Sequence, residues 1–185
     1  VGLIAPYLAY MRQDTRFKAG EAITSAYFAR MLGQHFDWLV TMDPHLHRYK
    51  SLSEIYAIPA VAVHAGPAIA AWVRAHVPAP LIVGPDSESA QWVAAVAHGA
   101  GAPYIVLEKH RHGDRAVEVS APDMRPWRGR TPVLVDDIIS TAQTLIKTTG
   151  RLQAAGASGI IVPGVHGLFA GRAYDERRAA GARQI

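Results

Sequence analysis

One stretch, TPVLVDDIISTAQTL at residues 131–145, restricts the fold and chemistry of this chain more than any other. Its aliphatic run at 133–135 is typical of a buried strand, and the run ends in the carboxylates of Asp136 and Asp137. A hydroxyl-rich turn and a helical pattern follow, and loop N–H groups together with a helix N-terminus favour a bound anion. The carboxylates can hold sugar hydroxyls or, through water, a divalent cation. The same spacing also fits an ordinary strand-to-helix connection, so the residues alone leave both interpretations open.

The composition indicates a globular protein. Half of the 185 residues are hydrophobic, so the chain can bury a substantial core. Cysteine is absent, which excludes disulfides and cysteine-based metal or redox sites and fits a cytoplasmic protein. No apolar run approaches the roughly 20 residues that span a bilayer, so we expect no membrane partner. The net charge is +4, but Lys and Arg are scattered, and a small anionic substrate explains the excess more simply than nucleic acid.

Strand-like and helix-like patterns alternate along the chain. We expect strands at 1–5, 38–42, 61–63, 81–83, 104–107, 133–135 and 159–162, and helices at 23–32, 51–56, 65–77, 89–100 and 144–155. This alternation predicts an α/β fold with mostly parallel sheets flanked by helices. The pattern breaks into two α/β units near His64, which gives predicted domains at 1–64 and 65–185.

Charged residues recur just after the predicted strands. They are Asp43, His45, Asp86, Lys109, Arg111, Asp136 and Asp137. In parallel sheets, ligands bind beyond the carboxyl ends of the strands. The shared placement therefore predicts a single active site.

The central stretch resembles the ribose 5-phosphate and phosphoribosyl pyrophosphate (PRPP) loop of type I phosphoribosyltransferases and PRPP synthetases. That signature runs as aliphatics, Asp-Asp, two residues, then Asp/Ser-Thr-Gly-Gly-Thr, and this chain has VDDIISTAQT. By this resemblance, ribose 5-phosphate would bind to Asp136, Asp137, Ser140, Thr141, Ala142, Gln143 and Thr144. Ala142 and Gln143 stand where relatives usually have glycine. A Cβ there costs roughly 1 kcal/mol or more if φ is positive, which would weaken phosphate binding.

Three shorter segments resemble nucleotide and metal motifs of PRPP synthetases. YMRQD at 10–14 is similar to the Tyr-x-Arg-Gln-Asp segment that meets ATP, which implies nucleotide contacts by Arg12 and Gln13. MDPH at 42–45 is similar to Met-Asp-Leu-His, whose histidine binds magnesium, and this assigns His45. GPD at 84–86 is similar to Ser-Pro-Asp, which supplies a second magnesium residue, here Asp86. Without the resemblance, the first two segments fit a solvated loop and a loop histidine.

Two further segments complete the resemblance. EKHR at 108–111 is similar to the Lys-x-Arg that begins the family's flexible catalytic loop, so Lys109 and Arg111 are the implied catalytic residues. Such cations stabilise charge that develops on phosphate oxygens. Taken alone, the segment fits an exposed basic hairpin. HGLFAG at 166–171 resembles a turn of the same family, and we expect only structural support from it.

Together these motifs imply a PRPP synthetase (ribose-phosphate diphosphokinase). Members transfer the pyrophosphoryl group of MgATP to the anomeric hydroxyl of ribose 5-phosphate, so the resemblance implies Mg²⁺, these two substrates and a homo-oligomer. It also implies that the sequence is a fragment lacking an N-terminal part and a C-terminal segment. Two alternatives stay open: a non-catalytic regulatory homologue, favoured by the missing glycines, and a transferase that consumes PRPP.

Overall fold

The computed structural model describes residues 1–107, 109–112, 116–119, 123–141 and 143–179. The chain divides into two compact units, Val1–Ala65 and Gly66–Ile185. The division lies one residue beyond the boundary expected from the sequence.

The first unit is built on a three-stranded parallel sheet. Its strands are Gly2–Ala5 (β1), Trp38–Met42 (β2) and Ala60–Val63 (β3), in the order β1-β2-β3, and its helices are Thr24–Gly33 (α1) and a 3-10 turn at Leu52–Glu54. Successive side chains of a strand point to opposite faces. Leu39 and its neighbours on one face pack against Ala29 and Leu32 of α1. On the opposite face Ile4 and Val61 are exposed.

The second unit contains a three-stranded parallel sheet and two strand pairs. The sheet has the order β5-β4-β8, from Pro80–Gly84 (β4), Tyr104–Val106 (β5) and Thr131–Leu134 (β8). Lys109–His112 (β6) pairs antiparallel with Ala116–Val119 (β7), and Asp136–Ile139 (β9) pairs parallel with Gly164–Gly167 (β10). The helices are Gly66–His76 (α2), Ala90–Ala100 (α3), Gln143–Ala154 (α4) and Ala173–Ala179 (α5).

Helices cover both faces of the central sheet of the second unit. Leu81, Val83 and Leu134 lie in one core, together with Leu145 and Leu152 of α4. The alternate residues of the same strands lie in a second core with α2 and α3: Ile82, Val133, Val135, Ala70, Val73, Val93 and Val96. The predicted α/β class, with mostly parallel sheets flanked by helices, is therefore confirmed. Within the described residues, no helix is both long and apolar enough to cross a membrane.

Two strand predictions were wrong in detail. The strand expected at 159–162 is reduced to a single bridge between Val133 and Ile161. Gly159 has a φ of 66°, outside the strand region, and Pro163 has no N–H to continue a ladder. Between the aliphatic run and the hydroxyl-rich turn, the two carboxylates and two apolar residues were expected to form no strand of their own. Instead Asp136–Ile139 forms the short strand β9, because Ile138 and Ile139 are buried and the segment pairs with β10.

The two-sided core yields a stability prediction. We expect Leu152→Ala to lower the free energy of unfolding by about 2–5 kcal/mol, because the fully buried side chain leaves a cavity beneath the sheet. The matched control is Leu168→Ala, since Leu168 is 43% exposed and the same atoms are lost with little cavity. Chemical denaturation of both variants measures the difference. Equal costs would contradict the core assignment.

Candidate active site

Two adjacent carboxylates follow the buried strand β8. The N–H of Val135 donates to Val83 O at 3.1 Å, which continues the sheet up to the first carboxylate. The N–H of Asp137 then donates to Oδ1 of Asp136 at 3.0 Å, and the N–H of Ile138 donates to Oδ1 of Asp137 at 2.7 Å. Each side chain is thus bound back onto the next peptide, which holds both carboxyl groups at the end of the sheet.

Asp86 lies beside this pair. Burial, the negative charge of Asp137 and a side-chain hydrogen bond with Asp137 together raise the pKa of Asp136 to about 7, and the negative charge of Asp86 makes a smaller contribution to that rise. Strands β4 and β8 are parallel neighbours, so Asp86 lies at the same edge of the sheet as Asp136 and Asp137, although Asp86 and Asp136 are 50 residues apart in sequence. Within the described ranges, no three His, Cys, Asp or Glu side chains are arranged to hold a metal ion. The magnesium ligands therefore stay a prediction.

Gly84 leaves room for the side chain of Ser89 at the end of β4. A Cβ at Gly84 would lie 2.5 Å from Oγ of Ser89, so the Ser89 hydroxyl would have to move. That hydroxyl donates to the carbonyl of Asp86 at 2.6 Å and fixes the turn in which the carboxylate sits. The glycine thus admits the turn, and the turn places Asp86 at the carboxyl end of the strand.

The predicted phosphate loop connects β9 to α4. Ser140 is partly buried and its carbonyl accepts the N–H of Ala170 at 3.1 Å, whereas Thr141, Gln143 and Thr144 are exposed. Ala142 lies outside the described residues. Helix α4 begins at Gln143, one residue earlier than expected, so its first residue comes two positions after the hydroxyl-bearing Thr141. Unpaired N–H groups at a helix start attract anions.

In the first unit, β2 delivers Asp43 and His45. Asp43 has a φ of 35°, is buried, and accepts from Nδ1 of His64 and from the N–H of Ala65, both at 2.8 Å. This carboxylate therefore ties the end of β2 to the end of β3. The ring of His45 stacks on His47, with centroids 5.7 Å apart.

The remaining predicted residues lie in two segments. Arg12 and Gln13 are exposed, between the buried side chains of Met11 and Asp14. Lys109 and Arg111 lie in β6, so the segment expected to begin a loop has the backbone of an antiparallel strand. Only this backbone is described.

Sequence reasoning gave no role to Asp14 or Arg48. Oδ1 of Asp14 lies 3.3 Å from Nε of Arg48, and the Asp14 side chain is only 5% exposed. The available signal was a carboxylate directly after the exposed Arg-Gln pair. Its partner is 34 residues away, and sequence spacing does not identify it.

Comparison with known proteins identifies related sequences and structures of similar fold. The family model described as "Phosphoribosyl transferase domain" matches residues 51–180. A ribose-phosphate pyrophosphokinase of Thermoplasma acidophilum is 37% identical over 169 residues, which cover 91% of this chain and 57% of that protein. One from Sulfolobus acidocaldarius is 32% identical and aligns with 100% of this chain and 63% of its own length.

One solved structure of similar fold is a phosphoribosylpyrophosphate synthetase from Mycobacterium smegmatis. It superposes with a TM-score of 0.83 at 24% identity, over 100% of this chain and 59% of that chain. At this identity the likeness supports the fold alone. The present chain spans about three fifths of the length of the relatives it matches, between 57% and 63% for the two sequences above.

The raised pKa of Asp136 predicts that the protein is less stable to unfolding at high pH than at low pH. The folded chain retains a proton on this carboxyl more strongly than the unfolded chain, so the free energy of unfolding falls as pH rises from 3.8 to about 7. We expect Asp136→Asn to raise Tm by about 2 °C or more at pH 8, since roughly 1 kcal/mol shifts Tm by 2–4 °C at this size. The gain shrinks toward pH 5.

Asp123→Asn is the matched control. The side chain of Arg125 donates to Asp123 and lowers its pKa to about 2, so removing this charge relieves no penalty at pH 8. The test is to measure the Tm of the wild type and of both variants by thermal unfolding at pH 5 and at pH 8. A pH-independent Tm difference for Asp136→Asn would contradict the assigned pKa.

Proposed function

This chain belongs to the phosphoribosyl transferase domain family, and from that premise we propose that it is a major part of a ribose-phosphate diphosphokinase (PRPP synthetase). The protein transfers the pyrophosphoryl group of MgATP to the anomeric hydroxyl of ribose 5-phosphate, giving PRPP and AMP. Relatives named ribose-phosphate pyrophosphokinase, which are 32–37% identical to the chain, support this activity.

The observation that carries the proposal is the order of groups after β8. Two carboxylates end the sheet, a hydroxyl-bearing turn follows, and the start of α4 closes the site. Carboxylate oxygens accept hydrogen bonds from sugar hydroxyls, while N–H groups and hydroxyls donate to a phosphate. A sugar phosphate carries hydroxyl groups and a phosphate group within one small molecule. Ribose 5-phosphate therefore fits this sequence of groups.

We assign the ribose side of the reaction to the second unit. Asp136 and Asp137 hold the ribose hydroxyls. The 5-phosphate lies against Ser140, Thr141, Ala142, Gln143 and Thr144. A neutral Asp136 would donate one hydrogen bond and accept others, whereas the ionised form only accepts, so substrate hydroxyls favour the ionised form.

We assign the nucleotide to three segments. Arg12 and Gln13 contact ATP, and His45 and Asp86 position the Mg²⁺ that accompanies it. A carboxylate oxygen suits this hard cation well, and an imidazole suits it less. The nearby negative charges of Asp136 and Asp137 are a second reason for a divalent cation to bind beside Asp86, because it offsets their repulsion.

In the proposed transfer step, the anomeric hydroxyl oxygen of ribose 5-phosphate attacks the β-phosphorus of ATP and loses its proton to solvent. The bond from that phosphorus to the α,β-bridging oxygen breaks, and AMP leaves. Charge spreads over the oxygens of the transferring group, and Lys109 and Arg111 stabilise it. The proposed protein is a homo-oligomer.

An assay of the full-length protein tests the activity. AMP is quantified after incubation with Mg²⁺, ATP and ribose 5-phosphate, in the wild type and in Lys109→Ala. We expect turnover in the wild type and a loss of about 100-fold or more in kcat for the variant, because removing one group that stabilises transition-state charge typically costs 10²–10³.

Lys147→Ala is the matched control, since Lys147 is an exposed lysine on α4 of the same unit. Its kcat should stay within about twofold of the wild type, as expected for a surface substitution. A wild type that binds ATP without forming AMP would replace the synthetase with the non-catalytic regulatory homologue. Base-dependent consumption of PRPP would instead identify a phosphoribosyltransferase.

A further inference from the structure

In the segment at 10–14, two exposed side chains lie between two buried ones, which we call its anchors. Arg12 and Gln13 are exposed, whereas Met11 is 2% exposed and Asp14 is 8% exposed. The turn between them is tight: Tyr10 has a φ of 63°, and its carbonyl accepts the N–H of Gln13 at 2.9 Å. The direction of the Arg12 and Gln13 side chains therefore depends on what holds the anchors.

The polar anchor depends on one cation. Oδ1 of Asp14 is paired with Nε of Arg48 at 3.3 Å, while Oδ2 is buried without a hydrogen-bond partner in the described part of the chain. A buried carboxylate is tolerated when an opposite charge compensates it, and removing that charge leaves it uncompensated. Arg48 thus holds the end of the 10–14 segment in place.

Tyr49, the residue after Arg48, is connected to the 10–14 segment through Ser25. The carbonyl of Gln13 accepts the N–H of Ser25 at 3.1 Å, and the hydroxyl of Ser25 shares a hydrogen bond with the hydroxyl of Tyr49 at 3.3 Å. Ser25 is 1% exposed, so this connection is shielded from water. Two consecutive residues, Arg48 and Tyr49, therefore support the backbone and side-chain anchors of 10–14.

We propose that Arg48, assisted by Tyr49, is a positioning residue for nucleotide binding. It lies three residues after His45, so its ion pair joins the segment assigned to magnesium with the segment assigned to ATP. The inference rests on the proposed function for the roles of Arg12 and Gln13. Arg48 itself need not touch the nucleotide. Its guanidinium fixes Asp14, and Asp14 fixes the turn that presents both contacts.

Direct binding of α,β-methylene ATP to the full-length protein with Mg²⁺, measured by calorimetry, tests this role. We expect Arg48→Ala to raise the Kd of the analogue and the KM for ATP about tenfold, with kcat within about twofold. That split is characteristic of lost ground-state binding rather than lost chemistry. The KM for ribose 5-phosphate should not change. Arg48→Lys, which keeps the charge, should recover part of the affinity.

Arg30→Ala is the matched control, because Arg30 is an exposed arginine of the same unit that lies over the Tyr27 ring. It should leave the Kd unchanged. A double variant, Asp14→Asn with Arg48→Ala, should lose no more affinity than Arg48→Ala alone, since the two residues act as one unit. Tyr49→Phe removes only a hydroxyl, and it should raise the Kd about threefold in a folded protein even where Arg48→Ala does not fold.

An unchanged Kd in folded Arg48→Ala, or in Tyr49→Phe where Arg48→Ala does not fold, overturns the inference. An equal loss of affinity for ribose 5-phosphate also overturns it, because that result indicates general destabilisation. A wild type that binds the analogue but forms no AMP contradicts the proposed function, and the comparison of binding constants still decides the role of Arg48.

Discussion

Burial of the central parallel sheet on both faces is the constraint on which the second unit depends. The strand interiors of β4 and β8 are fully buried, with alternate residues in two cores. Such positions cannot hold polar side chains without a large desolvation cost. Polar groups are therefore displaced to the ends of the strands, where the chain turns back toward a helix. Asp86, Asp136 and Asp137 lie just beyond the carboxyl ends of β4 and β8.

Their concentration has an electrostatic consequence. Burial and neighbouring negative charge both disfavour the ionised form of Asp136. Without a bound ligand, ionisation of this carboxyl group therefore costs free energy. A cation or a set of sugar hydroxyls relieves it. The same property that costs stability at neutral pH thus favours the substrates proposed for this edge of the sheet, as is common where binding groups are held in advance of the ligand.

In the first unit, two buried carboxylates connect distant segments of the chain. Asp43 is buried but accepts hydrogen bonds from His64 and Ala65, and Asp14 is buried against Arg48. Each carboxylate joins segments that are distant in sequence. The Asp14–Arg48 pair anchors one end of the 10–14 segment, which presents the exposed side chains of Arg12 and Gln13. Precision in a loop of this kind comes from its buried anchors rather than from its exposed residues.

The sequence by itself determined the fold class, most helices and strands, and the positions of the motifs. Aliphatic runs, such as that at 133–135, and helical spacing, such as that of α1, are local signals that report burial directly. Only the tertiary structure decided how β9 pairs with β10 and which residue compensates Asp14. It also decided that β4 and β8 are direct neighbours, which brings Asp86 and Asp136 to the same edge of the sheet. These features depend on contacts between residues far apart in the chain, and neither periodicity nor spacing carries that information.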